Sequence, residues 1–244
     1  MEIKDNYIYF EPHELKYKKK ISARTFAGLC HFDKFNTPEE YLLEHHGLLE
    51  PEEIDKRYKL RGDFAEKIVK KVYERDNKVI ISYDAEACKY DCFPNVKDWG
   101  GVPDIEVPMK NFIVEVKSKS MSHYDYISKF PLASEYYQGL FYAYLKGYPK
   151  VIMEWIFFDA ETEQEIMNGK KPTTLKNLKR VTKEYEVDRP HIKGLLDTAL
   201  DWVQTFRENR RISLHCISPR TLQRVITKFK KFEKPKSVSK STDS

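Results

Sequence analysis

The sequence predicts an α/β fold in which a helix is followed by three strands, a second helix and a fourth strand, with helical additions at both ends. Apolar residues at helical spacing run through residues 60–77 and predict the first helix. Short apolar segments at residues 78–83, 101–107 and 111–118 are typical of strands. The continuous apolar run at residues 151–158 predicts a strand that is buried on both faces.

Local start and stop signals place the other helices. The sequence TPEE at residues 37–40 has the form of a capping box with proline at the first helical position, and it predicts a helix to about residue 47. Gly147 follows the aromatic-rich segment 132–146 and predicts the end of the second core helix. The remaining predicted elements are a helix over residues 23–30, a strand over 181–187, a helix over 189–210 and a helix that begins at Ser218 and Pro219.

Positive charge is concentrated at the end of the chain. Of the formal net charge of +5, residues 228–244 contribute +4 through six lysines against Glu233 and Asp243, which leaves about +1 for the rest. We therefore expect one domain over residues 1–232, with its core at about 60–158, and a disordered basic tail over 233–244. Because the body is nearly neutral, its affinity for nucleic acid would have to come from local patches.

The distribution of apolar residues and cysteines bears on location. The sequence has no signal peptide and no apolar run long enough to span a bilayer, which predicts a cytoplasmic location and no membrane partner. Four cysteines in such a chain are expected to be reduced. Cys88 and Cys92 are separated by three residues and have no second close pair, so plain thiols are favoured over a zinc or iron–sulfur site.

Two opposite charges interrupt the apolar strand predicted at residues 111–118. Side chains alternate faces along a strand, so Glu115 and Lys117 lie side by side on one face. Burial of a carboxylate is costly unless the group is paired or binds a metal. A divalent cation held by Glu115 and by Asp104, which follows Pro103, would be such a partner, and Lys117 would then contact water and a phosphate group. The alternative is a surface salt-bridge cluster on an edge strand.

The helices on either side of the predicted sheet carry further polar residues. Gln138 and Tyr142 are four residues apart and therefore share one face of their helix. Gly62 and Glu66 lie one turn apart in the helix that precedes the sheet. Because Glu66 lies off the main apolar stripe, it is either a further metal-side carboxylate or a solvated salt-bridge residue.

Other polar segments carry weaker signals. The basic segments 169–180, 207–211 and 227–236 are either phosphate contacts or solvated charged faces. His45 and His46 have no partner at metal-ligand spacing, and we expect them at the surface.

These motifs together resemble a known nuclease superfamily. The turn GVPD at residues 101–104 followed by EVK at 115–117 resembles the motif of the PD-(D/E)XK nucleases. The sequence QGLFY at 138–142 resembles a signature of their RecB-like branch, and RGDFAE at 61–66 resembles the segment in which that branch places another carboxylate. The N-terminal segment from residue 21 onward is similar to YqaJ-type viral recombinases, the group that includes phage lambda exonuclease. The resemblance covers about residues 20–158.

The resemblance implies an activity and a set of roles. It implies Mg²⁺- or Mn²⁺-dependent, processive 5′ to 3′ digestion of one strand of duplex DNA, as used in recombination. Asp104 and Glu115 would hold the metal, Lys117 would polarise the attacking water, and Gln138 would orient Lys117 or the phosphate. Glu66 would be an additional metal ligand. The predicted DNA contacts are Arg24, which would grip a 5′ phosphate, together with Arg61, Lys119 and Tyr142.

The same resemblance implies partners and leaves alternatives open. Double-stranded DNA ends would be the substrate, the oligomer would be a homotrimer, and a single-strand annealing protein would be a partner, in the host cytoplasm if the source is viral. An endonuclease of restriction or repair type on the same core is the second hypothesis, and a catalytically silent DNA-binding module is the third. The CRISPR-adaptation branch is disfavoured, because its iron–sulfur cluster needs three late cysteines and Cys216 stands alone there.

Overall fold

The computed structural model describes residues 1–16, 20–53, 55–169 and 178–232. The helices in these ranges are α1 (Ala23–Leu29), α2 (Pro38–His45), α3 (Lys56–Asp76), α4 (Tyr124–Lys129), α5 (Ala133–Lys146), α6 (Ala160–Met167), α7 (Arg189–Asn209) and α8 (Pro219–Phe232). The strands are β1 (Glu2–Lys4), β2 (Tyr7–Tyr9), β3 (Ile21–Ser22), β4 (Trp99–Gly100), β5 (Ile105–Val107), β6 (Phe112–Ser120), β7 (Lys150–Phe158), β8 (Lys179–Glu186) and β9 (Arg211–Ser213).

A four-stranded mixed sheet with the order β5-β6-β7-β8 forms the centre of the fold. Strands β6 and β7 are parallel and are joined by a crossover through α4 and α5. The outer strands β5 and β8 run antiparallel to their neighbours. β6 is therefore an interior strand with a hydrogen-bonded partner on each side.

The two faces of this sheet pack against different helices. Odd-numbered side chains of β6 and β7, such as Ile113 and Trp155, belong to the core that α1, α5 and α7 complete. Even-numbered side chains, such as Val114 and Ile156, pack with residues of α3 and α6. β7 can be apolar at most of its positions because both of its faces are covered, and Glu154 is the buried charge within it. By the same alternation, Glu115 and Lys117 lie on the α5 side.

The predicted boundaries of several elements are confirmed by their end contacts. Thr37 and Glu40 form the expected capping box, since each side chain accepts a hydrogen bond from the backbone N–H of the other residue. α5 ends at Gly147, whose φ of 80° places it in the left-handed region that favours glycine. Local sequence signals are thus sufficient to predict where α2 begins and where α5 ends.

The first of the three strands predicted after α3, over residues 78–83, does not form. Residues 78–83 contribute only an isolated bridge between Ile81 and Glu106, and the apolar side chains of Val79 and Ile81 stay exposed. The predicted strand over residues 101–107 shortens to β5, because Gly101 has a φ of 138° and Pro103 cannot donate to a ladder. The segment has strand propensity but no partner long enough to bury it.

Elements at the two ends of the chain were absent from the prediction. β1 and β2 form an antiparallel hairpin, and β9 extends it to the sheet order β1-β2-β9. Each of these strands has three residues, which is too short for a hydrophobic period to be recognised. The pairing of Ile8 with Ile212 joins the beginning of the chain to residues far along it.

Three predicted features lie partly or wholly outside the described residues. The basic tail at 233–244 does so entirely, the basic segment 169–180 does so at 170–177, and the basic segment 227–236 does so at 233–236. Among the helices that the structure describes, none has the length and apolar character needed to cross a bilayer.

The expected surface position of His45 and His46 is wrong, since both imidazoles are buried. His46 follows the last residue of α2, where its Nδ1 lies 2.8 Å from the carbonyl oxygen of Leu42, and its ring packs against Phe206. The pKa of His46 is lowered to about 4, mainly by burial, with the contact to Leu42 opposing the shift and the charge of Arg207 adding to it.

This buried histidine predicts a loss of stability in mild acid. The unfolded imidazole takes up a proton below a pH of about 6.5, whereas the folded one does so only near its lowered pKa. The free energy of unfolding should therefore fall as the pH drops from about 6.5 towards 4, by roughly 2 kcal/mol at pH 5. Denaturation at pH 7.5 and pH 5 should show a smaller pH effect in His46→Gln than in the wild type. The matched control is His13→Gln at the exposed His13, and an equal pH effect in all three proteins would contradict the assignment.

Candidate active site

Glu115 and Lys117 form a buried ion pair on the interior strand β6. Lys117 Nζ donates a hydrogen bond of 2.7 Å to Glu115 Oε1, and the Glu115 residue is only 4% exposed. The alternative of a surface salt-bridge cluster is therefore wrong, because Glu115 is buried and α5 covers this face of β6. A charge pair at such a position costs desolvation energy that its own attraction only partly offsets.

Asp104 lies directly opposite Glu115, one residue beyond the end of the β5–β6 ladder. The last paired residues on that side are Ile105 and Val114, and Asp104 Oδ2 then accepts a hydrogen bond of 2.7 Å from the backbone N–H of Val116. Beyond the last pair of the β5–β6 ladder, the Asp104 carboxylate thus accepts this N–H in place of a backbone carbonyl oxygen. Its position relative to Glu115 is thus fixed by the register of the sheet.

The charges around Asp104 are unbalanced. Burial raises the pKa of Asp104 well above its ordinary value, and the negative charges of Glu115 and Glu66 raise it further against the opposing charge of Lys117. Glu66 reaches this group from α3, and partial burial together with Glu115 and Asp63 raises its pKa as well. The side chain of Glu66 nevertheless remains open to solvent at the rim of the cleft. Three carboxylates thus share one lysine.

One oxygen of Glu115 has no hydrogen-bond partner among the residues that the structure describes. This oxygen, Glu115 Oε2, is buried and accepts no hydrogen bond from them, although an ionised carboxylate can accept several. A divalent cation between Asp104 and Glu115 would satisfy this oxygen and balance the excess negative charge. Among the described residues, no three histidine, cysteine or acidic side chains converge tightly enough to form a complete cage. The remaining ligands of such a cation would be water and substrate oxygens, which is the arrangement that Mg²⁺ prefers.

The helix α5 brings two further predicted residues to this group. Gln138 Oε1 accepts a hydrogen bond of 3.2 Å from Lys117 Nζ, so the ammonium is held between Glu115 and Gln138. Tyr142, one turn later, is buried beneath Gly101, where an added Cβ would lie 2.7 Å from the Tyr142 hydroxyl oxygen. Tyr142 thus supports the turn that leads to Asp104, and its contact with DNA stays a prediction.

Gly139 sets the distance between α5 and the sheet. A Cβ at this position would lie 2.8 Å from both Met153 Sδ and Val151 Cγ2, closer than side chains approach one another. We expect Gly139→Ala to lower the free energy of unfolding by about 1–3 kcal/mol, as overpacked core positions do. Urea denaturation measures the change. The control is Gly194→Ala on α7, where a Cβ meets no atom within 4 Å and should add about 0.8–1 kcal/mol. Equal effects of the two substitutions would contradict this packing argument.

A second buried carboxylate beside the site was missed in the sequence. Glu135 on α5 accepts a hydrogen bond from Lys119 Nζ with one oxygen and a bond of 2.8 Å from Trp155 Nε1 with the other. Glu135 precedes Gln138 by three residues, which places both on one face of α5, and this spacing was the available signal. The predicted DNA contact of Lys119 stays a prediction, and its ammonium is held by Glu135.

The other two predicted DNA contacts lie in different surroundings. Arg61 is buried, pairs with Glu163 of α6 at 2.6 Å and donates to Ser118 Oγ at the end of β6. Arg24 on α1 lies over the ring of Tyr41 and 3.6 Å from Glu44. Arg61 therefore connects α3, α6 and β6, whereas Arg24 lies on the helix that packs against α5.

An open cleft of about 840 Å³ gives access to the carboxylates. Asp104 and Glu66 line it on one side of its floor, and the segment 82–86 together with Tyr90 forms a wall. The opposite wall is α3, which presents three lysines to the cleft, namely Lys59, Lys67 and Lys70, together with Asp63. The cleft is therefore acidic where Asp104 and Glu66 meet, and its α3 wall carries charges of both signs.

Comparison of the chain with known proteins gives similarity in structure rather than in sequence. No protein-family model and no curated protein matches the chain. The fold is similar to an alkaline exonuclease, LHK-Exo, from Laribacter hongkongensis, with a TM-score of 0.54, 14% identity, and 86% of this chain and 94% of that chain covered. The same exonuclease in complex with dAMP gives a TM-score of 0.55 with the same identity and coverage.

A second exonuclease has the same fold. A phage-related exonuclease from Haemophilus somnus 129PT gives a TM-score of 0.53 at 13% identity, with 80% of this chain and 94% of that chain covered. The chain therefore has the mixed α/β fold of these exonuclease structures, and the fold implied by the sequence resemblance is confirmed at that level.

Proposed function

We propose that the protein is a metal-dependent deoxyribonuclease, and specifically a 5′ to 3′ exonuclease that acts on double-stranded DNA ends in recombination. The observation that carries the proposal is the buried, unpartnered Oε2 of Glu115, which lies beside Lys117 and opposite Asp104 in a fold shared with exonucleases. A purely structural ion pair would have no reason to leave that oxygen unsatisfied in an acidic group.

The side chains divide the chemistry between them. Asp104 and Glu115 would hold Mg²⁺ or Mn²⁺, with Glu66 as a further ligand directly or through water. When bound, such an ion would supply Lewis acidity and neutralise charge that develops on the phosphate. Lys117, held by Glu115 and Gln138, orients and polarises the water that attacks phosphorus. Gln138 keeps the Lys117 ammonium in place by accepting a hydrogen bond from it.

The assignment of the motif follows from these positions. Pro103 and Asp104 before β5, and Glu115 and Lys117 on β6, occupy the places that the PD-(D/E)XK pattern requires, so we assign the core to α3, β5, β6, α5 and β7 within a single domain over residues 1–232. The tail at 233–244 adds only non-specific DNA affinity under this proposal. Arg24 would bind the 5′ phosphate. The other proposed DNA contacts are Arg61, Lys119 and Tyr142.

DNA as the substrate is supported by the fold and the cleft. The similar structures are of exonucleases, and one of them contains dAMP. The lysines on the α3 wall suit a phosphate backbone that passes the carboxylates. By the same resemblance we propose action in the cytoplasm, a homotrimer around the DNA and a single-strand annealing protein as partner.

The proposal is tested with three DNA substrates. Linear duplexes with 5′-phosphate ends, linear duplexes with 5′-hydroxyl ends and a closed circular duplex are incubated with Mg²⁺ and, separately, with excess chelator. We expect Mg²⁺-dependent loss of one strand from the linear duplexes, faster with the 5′ phosphate, and no change in the circle. Cutting of the circle would instead establish an endonuclease, and binding without cutting would establish a silent DNA-binding module.

A further inference from the structure

Three aromatic side chains that the fold leaves in solvent lie together with a lysine. Phe35 is 76% exposed, Phe130 is 63% exposed and Tyr126 is 52% exposed. The rings of Tyr126 and Phe130 are 5.9 Å apart, and Lys34 Nζ lies 5.1 Å from the Phe35 ring and 5.4 Å from the Tyr126 ring. These four residues are called the aromatic patch.

The aromatic patch is presented by well-anchored backbone. In the loop between α1 and α2, Asp33 accepts hydrogen bonds from the Phe35 N–H and from the Tyr41 hydroxyl. Phe32 in the same loop stacks on Tyr137 of α5 with ring centroids 3.7 Å apart. In α4, Ile127 is buried and the neighbouring Tyr126 is exposed, and the exposed Phe130 directly follows the last residue of the helix. The rings are therefore exposed on segments whose backbone is held by hydrogen bonds and packing.

The aromatic patch lies off the end of the strand that carries the catalytic group. β6 ends at Ser120, three residues or about 10 Å beyond Lys117, and a single turn then leads into α4. On the other side, Phe32 stacks on Tyr137, the neighbour of Gln138 in sequence. The rings of Tyr126 and Phe130 therefore follow in the chain directly after the end of the strand that carries Lys117.

The composition of the patch favours one kind of ligand. Aromatic rings with free faces stack on nucleobases, and Lys34 with the exposed Lys129 matches the phosphates between those bases. Asp125 is the acidic side chain of α4 and is also exposed. In a duplex the faces of the bases are already stacked on one another, so only unpaired bases can use such rings.

We infer that the aromatic patch binds unpaired nucleobases of a single DNA strand next to the cleavage site. This inference rests on the proposed nuclease function and adds a subsite to it. The patch would keep a separated strand from re-annealing while its partner strand is processed. Large apolar side chains left in water forgo the stabilisation that burial would give them, and a group of exposed rings is typical of a binding surface.

The test measures binding without cleavage. Fluorescence anisotropy of the full chain, in chelator, is recorded with a labelled oligothymidylate of about 12 nucleotides. We expect Phe35→Ala, Tyr126→Ala and Phe130→Ala each to weaken binding at least about fivefold, since a base stacked on an aromatic ring contributes at least that much affinity. The control is Met109→Ala, because Met109 is 67% exposed in the turn between β5 and β6, at the opposite end of β6. It should leave binding unchanged.

A second probe separates bases from phosphates. An abasic oligomer of the same length keeps the phosphates, and its weak binding should be insensitive to the three aromatic substitutions. Equal losses for the abasic and the base-containing oligomer would overturn the inference, as would a wild type that does not bind oligothymidylate. Light scattering of the same variants tests a second copy of this chain as the occupant. A change of oligomeric state with unchanged oligothymidylate binding would assign the patch to a subunit interface.

The test of the aromatic patch can be separated from the test of the proposed nuclease function. Cleavage of linear duplexes in Mg²⁺ is measured on the same preparations. A protein that cleaves but shows no patch-dependent oligothymidylate binding refutes the subsite alone. A protein that binds through the patch but never cleaves refutes the nuclease and supports the patch as a single-strand site.

Discussion

Replacement of Asp104 by asparagine should abolish most DNA cleavage without destabilising the metal-free protein. Asp104→Asn keeps the size of the side chain and an oxygen that can accept the Val116 N–H, but it removes a negative charge from the group built around the cation. We expect cleavage to fall at least about 100-fold, since one well-placed electrostatic contact at a reacting centre is worth roughly 3 kcal/mol. Single-turnover cleavage of linear duplex in Mg²⁺ measures the loss.

The stability of the same variant should move in the opposite direction. Without metal, Asp104, Glu115 and Glu66 repel one another with Lys117 as the opposing charge, so the metal-free variant should melt at the wild-type temperature or above it. Millimolar Mg²⁺ should raise the melting temperature of the wild type and have little effect on the variant. The control is Asp201→Asn at an exposed aspartate on α7. A wild type that gains no stability from Mg²⁺, together with a variant that cleaves normally, would refute the nuclease assignment.

Added Mn²⁺ should restore part of the cleavage activity when Glu115 is replaced but not when Lys117 is replaced. Glu115→Ala removes a proposed metal ligand, so its cleavage should fall at least about 100-fold in Mg²⁺ and recover in part at high Mn²⁺, which binds such sites more tightly. Lys117→Ala leaves both carboxylates in place and removes the group proposed to polarise the attacking water. Its activity should fall by a similar factor and should not recover with added metal.

The comparison is made by titrating Mn²⁺ against the cleavage rate of each variant. Lys193→Ala, at an exposed lysine on α7, serves as the lysine control and should behave as the wild type. An identical Mn²⁺ response of Glu115→Ala and Lys117→Ala would show that the division of roles between ligand and water-polarising group is wrong. Both variants remove one member of a buried ion pair, so the melting temperature of each is recorded to exclude unfolding.

The parts of the site that could be predicted from the sequence are those whose geometry is local. Glu115 and Lys117 share a face because of strand alternation, and Gln138 and Tyr142 share one because of helical spacing. The proline turn identified Asp104, and the structure places it opposite Glu115 by sheet register. These inferences needed only the residues themselves and the period of the element that carries them.

The parts that could not be predicted depend on contacts between distant segments. Residues 78–83 have the composition of a strand, and their exclusion from the sheet depends on the shortness of β5. Glu154 appears as a charge inside an apolar strand, but its partners, Arg180, Thr182 and Tyr73, come from β8 and α3. The burial of His45 and His46 likewise results from the packing of α2 on α7, which no local pattern encodes.

The hydrogen bond from Val116 to Asp104 has a consequence for sequence divergence. Asp104 and Glu115 face each other only while three residues of β5 pair with three residues of β6, from Ile105 with Val114 to Val107 with Phe112. One residue inserted between 112 and 115 would turn Glu115 towards α3, whereas an insertion at 108–111 would only lengthen the turn. Relatives should therefore differ in length at that turn and keep the counts from 104 to 107 and from 112 to 117. A search that fixes these two counts and leaves the gap between them free should find sequences that overall identity does not.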